Sequence, residues 1–415
     1  MSTTGPAALP QPVLVRGTGL LGTSIGLALR GRGVEVLLHD PSPSALAVAR
    51  DIGAGRAVDL DAAADTATVS LDAPDAPDGS AGISGGEAGG GAEAGAEAEA
   101  GADVGAPVPG TVVVAAPPDV TGRVVVESLR RWPEAVVLDI ASVKASILDQ
   151  VRAAVGKGEL SEADAARYVG THPMAGRERS GPVAARGTLF TAAPWVVCAE
   201  PGTAPAALAA AEALATAAGA TVHAMDAGEH DASVALISHL PQVAASLVAS
   251  RLQDTPAASL ALAGNGLRDT TRIAASDPQL WVQILAGNAG RLAEILHGVR
   301  ADLDRLIGTL EAPDAPGARL DIAQLIAEGN AGHARIPGKH GAPPQAFAVV
   351  TVVVDDTPGQ IAAVLQATGE AGVNVEDLHM DHASGHEVGM LEISVLPGRR
   401  ETLTAALTER GWKVV

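Results

Sequence analysis

The side chain best suited to chemistry is His172, in Thr171-His172-Pro173-Met174-Ala175-Gly176, a loop expected at a strand end. With a reference pKa of about 6.5, an imidazole accepts a hydroxyl proton near neutral pH. A surface-loop histidine is usually inert, so its neighbours decide. Arg177 and Arg179 follow closely and would attract an anionic substrate. Upstream, Asp139-Ile140-Ala141-Ser142-Val143-Lys144 follows an apolar strand, and loops beyond strand C-termini of open sheets face ligands. Ser142 there either orients a histidine by a hydrogen bond or caps a helix. Downstream, Asp231, Ser238 and Gln242 fall within about 20° of one helical stripe, with His239 about 80° off it. Such a polar stripe is more often solvated than catalytic, although Pro241 would kink the helix. Arg268 and Arg272 in Gly266-Leu267-Arg268-Asp269-Thr270-Thr271-Arg272 precede a helix start at Ser276-Asp277-Pro278. An arginine held there suits bidentate capture of a carboxylate or, equally, a structural ion pair.

A cofactor is signalled by Gly17-Thr18-Gly19-Leu20-Leu21-Gly22, which follows the apolar run Val13-Leu14-Val15 and opens a helix. Glycines at this spacing make a tight turn and let backbone N–H groups approach a pyrophosphate at a helix N-terminus. Asp40 closes the next strand, where a carboxylate accepts ribose hydroxyls and repels a 2′-phosphate, favouring NAD over NADP. Arg16 is a charge at the end of a strand that should be buried, either reaching the cofactor phosphates or snorkelling.

These groups need elements to hold them. Short apolar runs at Val34–Leu38, Ala67–Leu71, Thr111–Ala115 and Val136–Asp139 alternate with helical stretches such as Ser24–Arg32, which predicts an α/β, doubly wound Rossmann-type parallel sheet. This dinucleotide-binding domain is expected over 12–226. Within it, 72–110 is rich in Gly, Ala, Glu and Pro, with eight acids and no base, and reads as a disordered insertion. A helical domain for substrate and dimerisation is expected over 227–328. A linker with seven glycines and prolines should cover 329–345, and a small α+β unit 346–415.

The formal net charge of −20 over 415 residues argues against a nucleic-acid partner. The single cysteine, Cys198, excludes an internal disulfide and a cysteine-based metal cluster, so no metal is expected and a reducing cytoplasm fits. Residues 1–12 lack the pattern of a signal peptide. On this reading no apolar run reaches the roughly 18 residues of a membrane span, so no membrane association is expected.

Taken in order, these motifs resemble those of the prephenate dehydrogenase family, with a C-terminal ACT domain at Val352–Gly359 and Ala371–Val375. The resemblance implies NAD-dependent oxidative decarboxylation of prephenate to 4-hydroxyphenylpyruvate in tyrosine biosynthesis, by a homodimer. It implies that His172 accepts the hydroxyl proton, that Ser142 aligns it, and that Arg272 holds a substrate carboxylate. Asp231, His239, Gln242, Arg268 and Trp281 would line the substrate pocket. Asp355, Pro358, Gly359 and Asn374 would bind an amino-acid effector such as tyrosine. Many relatives have a second histidine where this chain has Gln242, which bears on the choice between prephenate and arogenate. Arogenate dehydrogenase, with tyrosine as product, and a hydroxy-acid dehydrogenase of similar layout are rival readings. A non-catalytic sensor of NAD and an amino acid is the alternative of another class.

Overall fold

The computed structural model describes residues 9–60, 108–176, 181–338, 346–382 and 388–415. The strand candidate Ala67–Leu71, Arg177, Arg179 and all but the last three residues of the 72–110 insertion lie outside the described residues. The chain forms two compact units, Met1–Pro241 with Ala275–Ile295, and Gln242–Ala274 with Leu296–Val415.

The first unit is built on an eight-stranded sheet. Its strands are β1 (Val13–Arg16), β2 (Val36–His39), β3 (Arg56–Ala57), β4 (Thr111–Val114), β5 (Val136–Asp139), β6 (Tyr168–Pro173), β7 (Pro194–Cys198) and β8 (Thr221–Ala224), in the order β3-β2-β1-β4-β5-β6-β7-β8. β1, β2, β4 and β5 are buried almost throughout, as expected of parallel strands covered on both faces. Successive side chains point to opposite faces. Val13, Val15, Leu38, Val113 and Leu138 therefore enter one core, and Leu14, Leu37, Val112, Val114 and Val137 the other. Fully burying one such side chain contributes roughly 1.5–3 kcal/mol. The chain reverses order at β1 and β4, which opens the crevice where such sheets bind ligands.

Three details depart from expectation. β7 runs antiparallel to β6, so the sheet is mostly and not wholly parallel. The first helix begins at Leu20, inside the glycine motif, rather than at Ser24. Arg16 turns away from the glycine turn, donating to Glu127 at 2.9 Å and Ser128 at 2.9 Å and lying over the Trp132 ring. It is a buried strut between β1 and the helix Pro118–Arg131.

Beyond β8 the chain is helical: Ala227–Val234, a wide turn at Ala235–His239, Leu240–Ser250, Ala257–Leu260, Asn265–Thr271, Pro278–Gly287, Ala289–Glu311 and Ala318–His333. The last of these runs through Gly329 and Gly332 into the expected linker, because a helix tolerates glycine at about 1 kcal/mol each. Residues 339–345 lie outside the described residues. The continuous run Ala227–Ser250 is long and apolar enough by length and composition to cross a membrane, contrary to expectation. Its buried face, however, carries His230, Asp231, His239 and Gln242.

The second unit ends in a βαββαβ module: β9 (Ala348–Asp355), the helix Gln360–Glu370, β10 (Asp377–His382), β11 (Val388–Val395), the helix Arg400–Glu409 and β12 (Lys413–Val414). Its sheet, β10-β11-β9-β12, is antiparallel throughout. Val350, Val352, Val354, Leu391 and Ile393 alternate inward and pack on Val364, Leu403 and Leu407 of the two helices. The module has a core of its own.

Candidate active site

The glycine turn after β1 is shaped by close backbone approach. A Cβ on Gly22 would lie 2.0 Å from the Gly17 carbonyl, and one on Gly17 would lie 2.4 Å from the Ala115 carbonyl. Gly17 also has φ of +111°, which other residues rarely adopt. Gly19 differs, since a Cβ there would meet nothing within 4 Å. Two glycines thus close the turn, and the third leaves open backbone at the N-terminus of the helix Leu20–Arg30. That is the arrangement a pyrophosphate needs, so these residues fit a dinucleotide. Thr18 sits buried in the turn, and Leu20 and Leu21 open the helix. Asp40 stands just beyond β2, at the position of a ribose-binding acid. One of its oxygens accepts the Thr18 N–H at 2.6 Å and hydroxyl at 3.0 Å, and the other accepts the Ser42 N–H at 2.8 Å. The carboxylate braces the glycine turn from the strand that would carry the ribose.

His172 is the fifth residue of β6 and half-buried. Its Nδ1 lies 2.8 Å from Nε2 of His230, whose Nδ1 lies 2.8 Å from Oδ1 of Asp231. The Asp231 carboxylate also accepts the backbone N–H groups of Lys144 at 2.8 Å and Ala145 at 2.9 Å. These are the first free donors of the helix Ala145–Gly156, whose own cap residue Lys144 supplies no side-chain bond. Asp231 therefore caps a helix from another segment. Burial alone would raise the Asp231 pKa, but the bonds from His230, Ala145 and Lys144 outweigh it and hold the acid ionised, below its ordinary range. For His172, burial and then the neighbouring His230, Lys144 and His239 push the pKa well below its ordinary value. The ring is neutral at pH 7, as a base must be.

Below this row lies a second buried group. Asp139, at the end of β5, pairs with the Lys144 ammonium, accepts the Tyr168 hydroxyl at 2.7 Å and takes the Ala141 N–H at 2.9 Å. Thr171 donates its hydroxyl to the Asp139 carbonyl at 2.7 Å, locking β6 to β5 beside His172. Ser142 is half-buried in this loop, but it caps no helix and the Nδ1 bond of His172 goes to His230.

His239 is buried on the same side as Asp231, against the ideal-helix reading that set it about 80° away. The reason is the wide turn Ala235–His239, where the Leu240 N–H bonds the Ala235 carbonyl five residues back and rotates the register. Pro241, lacking an N–H, follows at once. Asn288 donates to the Asp231 carbonyl at 2.7 Å and to His239 Nδ1 at 3.3 Å, and Trp281 packs edge-on against His239 with ring centres 6.1 Å apart. Val143 meets the helix Pro278–Gly287 at Gly287, where an added Cβ would lie 3.0 Å from a Val143 methyl. The first unit thus brings together His172, Asp231, His239 and Trp281, with His230, Asn288, Lys144 and Tyr168 added, while Ser142 is placed only by its loop between Asp139 and Lys144. The only sequence signal for His230 was its place beside Asp231. Asn288 gave none.

Gln242, Arg268 and Arg272 belong to the second unit. Gln242 is buried, while both arginines are exposed, Arg268 within the helix Asn265–Thr271 and Arg272 just after it. In the C-terminal module Asp355, Pro358 and Gly359 are exposed at the end of β9, where Gly359 opens the next helix with φ of +92°. Asn374 is at the other end of the sheet, because it precedes β10 and Asp377 pairs with Ser394, itself opposite Val349 at the start of β9. One module does not bring the four expected effector residues together.

Comparison with known proteins bears on the family to which this chain belongs. Residues 84–224 match the nucleotide-binding domain of prephenate dehydrogenase, and 226–324 match its dimerization domain. The "Probable prephenate dehydrogenase NovF" of Streptomyces niveus is 32% identical over 409 residues, covering 97% of this chain and 99% of that one. Among solved structures, prephenate dehydrogenase of A. aeolicus in complex with hydroxyphenyl propionate and NAD+ superposes with a TM-score of 0.57 at 21% identity. That match covers 78% of this chain and 98% of the other. Arogenate dehydrogenase of Synechocystis gives 0.54 at 22%, over 77% and 99%. The two structural matches support the fold, and the full-length relative supports more: this chain belongs to the prephenate dehydrogenase family of NAD-dependent oxidoreductases.

Proposed function

We propose that the protein oxidatively decarboxylates prephenate to 4-hydroxyphenylpyruvate. The observation that carries this reading is His172, a neutral imidazole at the C-terminal edge of the sheet that bears the dinucleotide turn. Bound NAD supplies the hydride acceptor. The chain's part is to take the proton of the ring hydroxyl on His172 Nε2, since Nδ1 is occupied by His230. Carbonyl character then develops at the ring carbon, and loss of the carboxylate as carbon dioxide aromatises the ring. Trp281 and His239 give the site an apolar wall, and Arg272, by the family resemblance, holds a substrate carboxylate. The test compares NADH formation from prephenate and from arogenate with the purified protein. Faster turnover of prephenate supports the reading, and turnover of arogenate alone replaces it with the amino-bearing substrate. Because the His172 pKa of the free enzyme sits well below 6.5, kcat/KM should stay flat from pH 8 to 6.5 and decline only at lower pH, as the ring takes up its proton.

Two finer readings belong to the same proposal. The 226–324 match supports a homodimer formed through the helices, whose outward faces are apolar at Leu247, Leu303, Ile307 and Leu320. The βαββαβ module fits an ACT domain for an amino acid such as tyrosine. Because Asn374 and Asp355 stand at opposite ends of one module, a ligand held by both would need two modules side by side. Cutting the chain after Gly338 should remove inhibition by tyrosine and spare turnover, and inhibition that persists would place tyrosine at the active site.

A further inference from the structure

The row His172–His230–Asp231 admits a single assignment of protons when both rings are neutral. Asp231 is ionised and only accepts, so the nitrogen of His230 facing it, Nδ1, carries the hydrogen. A neutral imidazole has one N–H, so Nε2 of His230 is a bare acceptor. His172 Nδ1, 2.8 Å away, must then carry its hydrogen, and its Nε2 is left with a free lone pair. His230 is fully buried, so both of its ring nitrogens find their partners inside the row. We propose that His230 is a positioning residue that passes the acceptor character of Asp231 to His172 and so fixes the one tautomer able to take a proton from substrate. This inference rests on the base role of His172 proposed above.

The row also has a fixed far end. Asp231 is bound to the backbone N–H groups that start the helix Ala145–Gly156 and, through its own carbonyl, to Asn288. It cannot rotate without giving up a helix cap. The ionisable groups around His172 are His230 and Asp231 on the helix Ala227–Val234, Lys144 on the loop after β5 paired with Asp139, and His239 in the wide turn. Asn288 donates to His239 Nδ1, so His239 has its own fixed partner and does not compete for His230.

The test uses the full-length protein labelled with 15N at histidine, with His172 assigned by comparison with His172→Asn. In the wild type, Nδ1 of His172 should give a protonated-type signal and Nε2 a bare-type signal at pH 7.5. His230→Phe keeps a ring but removes the acceptor. It should lose this pattern and lower kcat by about 100-fold or more, with the KM for prephenate unchanged. His230→Gln restores an acceptor oxygen and should recover at least tenfold of that loss. A wild-type His172 protonated at Nε2 overturns the proposal, because a charged His230 would then be the donor. So does a His230→Phe enzyme with kcat within threefold of wild type. If His230→Phe does not fold, the wild-type spectrum and His230→Gln decide alone. If the wild type turns over no prephenate, the functional reading falls, while the tautomer measurement still stands or fails by itself.

Discussion

The sheet domain and the helical stretch that follows are both apolar, yet they treat their apolar side chains in opposite ways. In the sheet domain, strand and helix residues enter two closed cores; Leu138, for example, is 0% exposed. From Leu240 to His333 the only buried hydrophobic residues are Ala245, Ile284, Leu292 and Ala318, while Leu247, Leu303 and Leu320 are 59%, 53% and 70% exposed. A sheet covered by helices satisfies its apolar surface within one chain. Long helices with large exposed leucines do not, and the match to a dimerization domain supports the homodimer proposed above as their cover. On that proposal the sheet domain closes its cores within one chain, and the helices complete theirs by association.

That contrast is open to direct attack. The largest effect expected is from Leu303→Asp together with Ile307→Asp, which would bury two unpaired carboxylates in the subunit interface. We expect dissociation to weaken pairing by about a thousandfold or more, roughly 4 kcal/mol, read as halved mass in light scattering at micromolar protein. An unchanged mass would mean that this face is not the interface. In the sheet domain, Leu138→Ala should cost about 2–5 kcal/mol through lost contacts and a residual cavity. Its urea midpoint should fall by the same amount at every protein concentration. A concentration-dependent loss would show that the sheet domain, too, depends on pairing.

Two pairs of arginines, one from each unit, also contrast. In the sheet domain Arg16 and Arg167 spend their donors internally, on Glu127, Ser128, Asp164 and backbone carbonyls. Arg268 and Arg272 in the second unit form no ion pair among the described residues, and the function proposed above gives Arg272 a substrate carboxylate. Hydrogen bonds to a charged partner contribute about 1.5–3 kcal/mol. Arg272→Ala should therefore lower kcat/KM for prephenate about 10- to 150-fold, mainly through KM, with NAD binding unaffected. Unchanged kinetics would sink the carboxylate role.

Much of the sheet domain was legible because its signals are local. Four apolar runs and a glycine turn at set spacing define strands, a loop and a helix start without reference to distant residues. His172 and Asp231 were equally legible as candidates. What they do to each other was not, because the bond between His172 and His230 spans 58 positions and depends on how β6 meets a helix. The wide turn before Pro241 was hidden for another reason. A calculation at 100° per residue assumes an unbroken α-helix, and one i→i+5 turn moves His239 from the flank to the buried face. Arg16 misled because a charge at a strand end beside a glycine turn suggests phosphate, whereas Glu127 and Ser128, over a hundred positions away, supply its partners. The unit boundary at Pro241 was invisible, since the helix continues through it.

The smallest effect should be confined to the sheet domain. Ser161 and Asp164 form a reciprocal cap on the short helix Glu162–Ala165: the Ser161 hydroxyl accepts the Asp164 N–H at 3.1 Å, and Asp164 accepts the Ser161 N–H at 2.9 Å and hydroxyl at 2.7 Å. Those bonds from Ser161, with Arg167 adding to them, hold the Asp164 pKa down to about 2 from an ordinary 3.8. A carboxylate whose pKa is depressed on folding contributes stability that is complete above the unfolded value and is lost as pH falls through the folded one. Ser161→Ala removes the hydroxyl and should cost about 1 kcal/mol at pH 7. With the hydroxyl gone, the Asp164 pKa should move back up, so the difference between variant and wild type should shrink as pH drops from about 4 towards 2. Because the cap is local to one chain, that difference should be the same at high and low protein concentration. A cost that grew on dilution would tie this corner of the sheet domain to the partner subunit and erase the contrast drawn above.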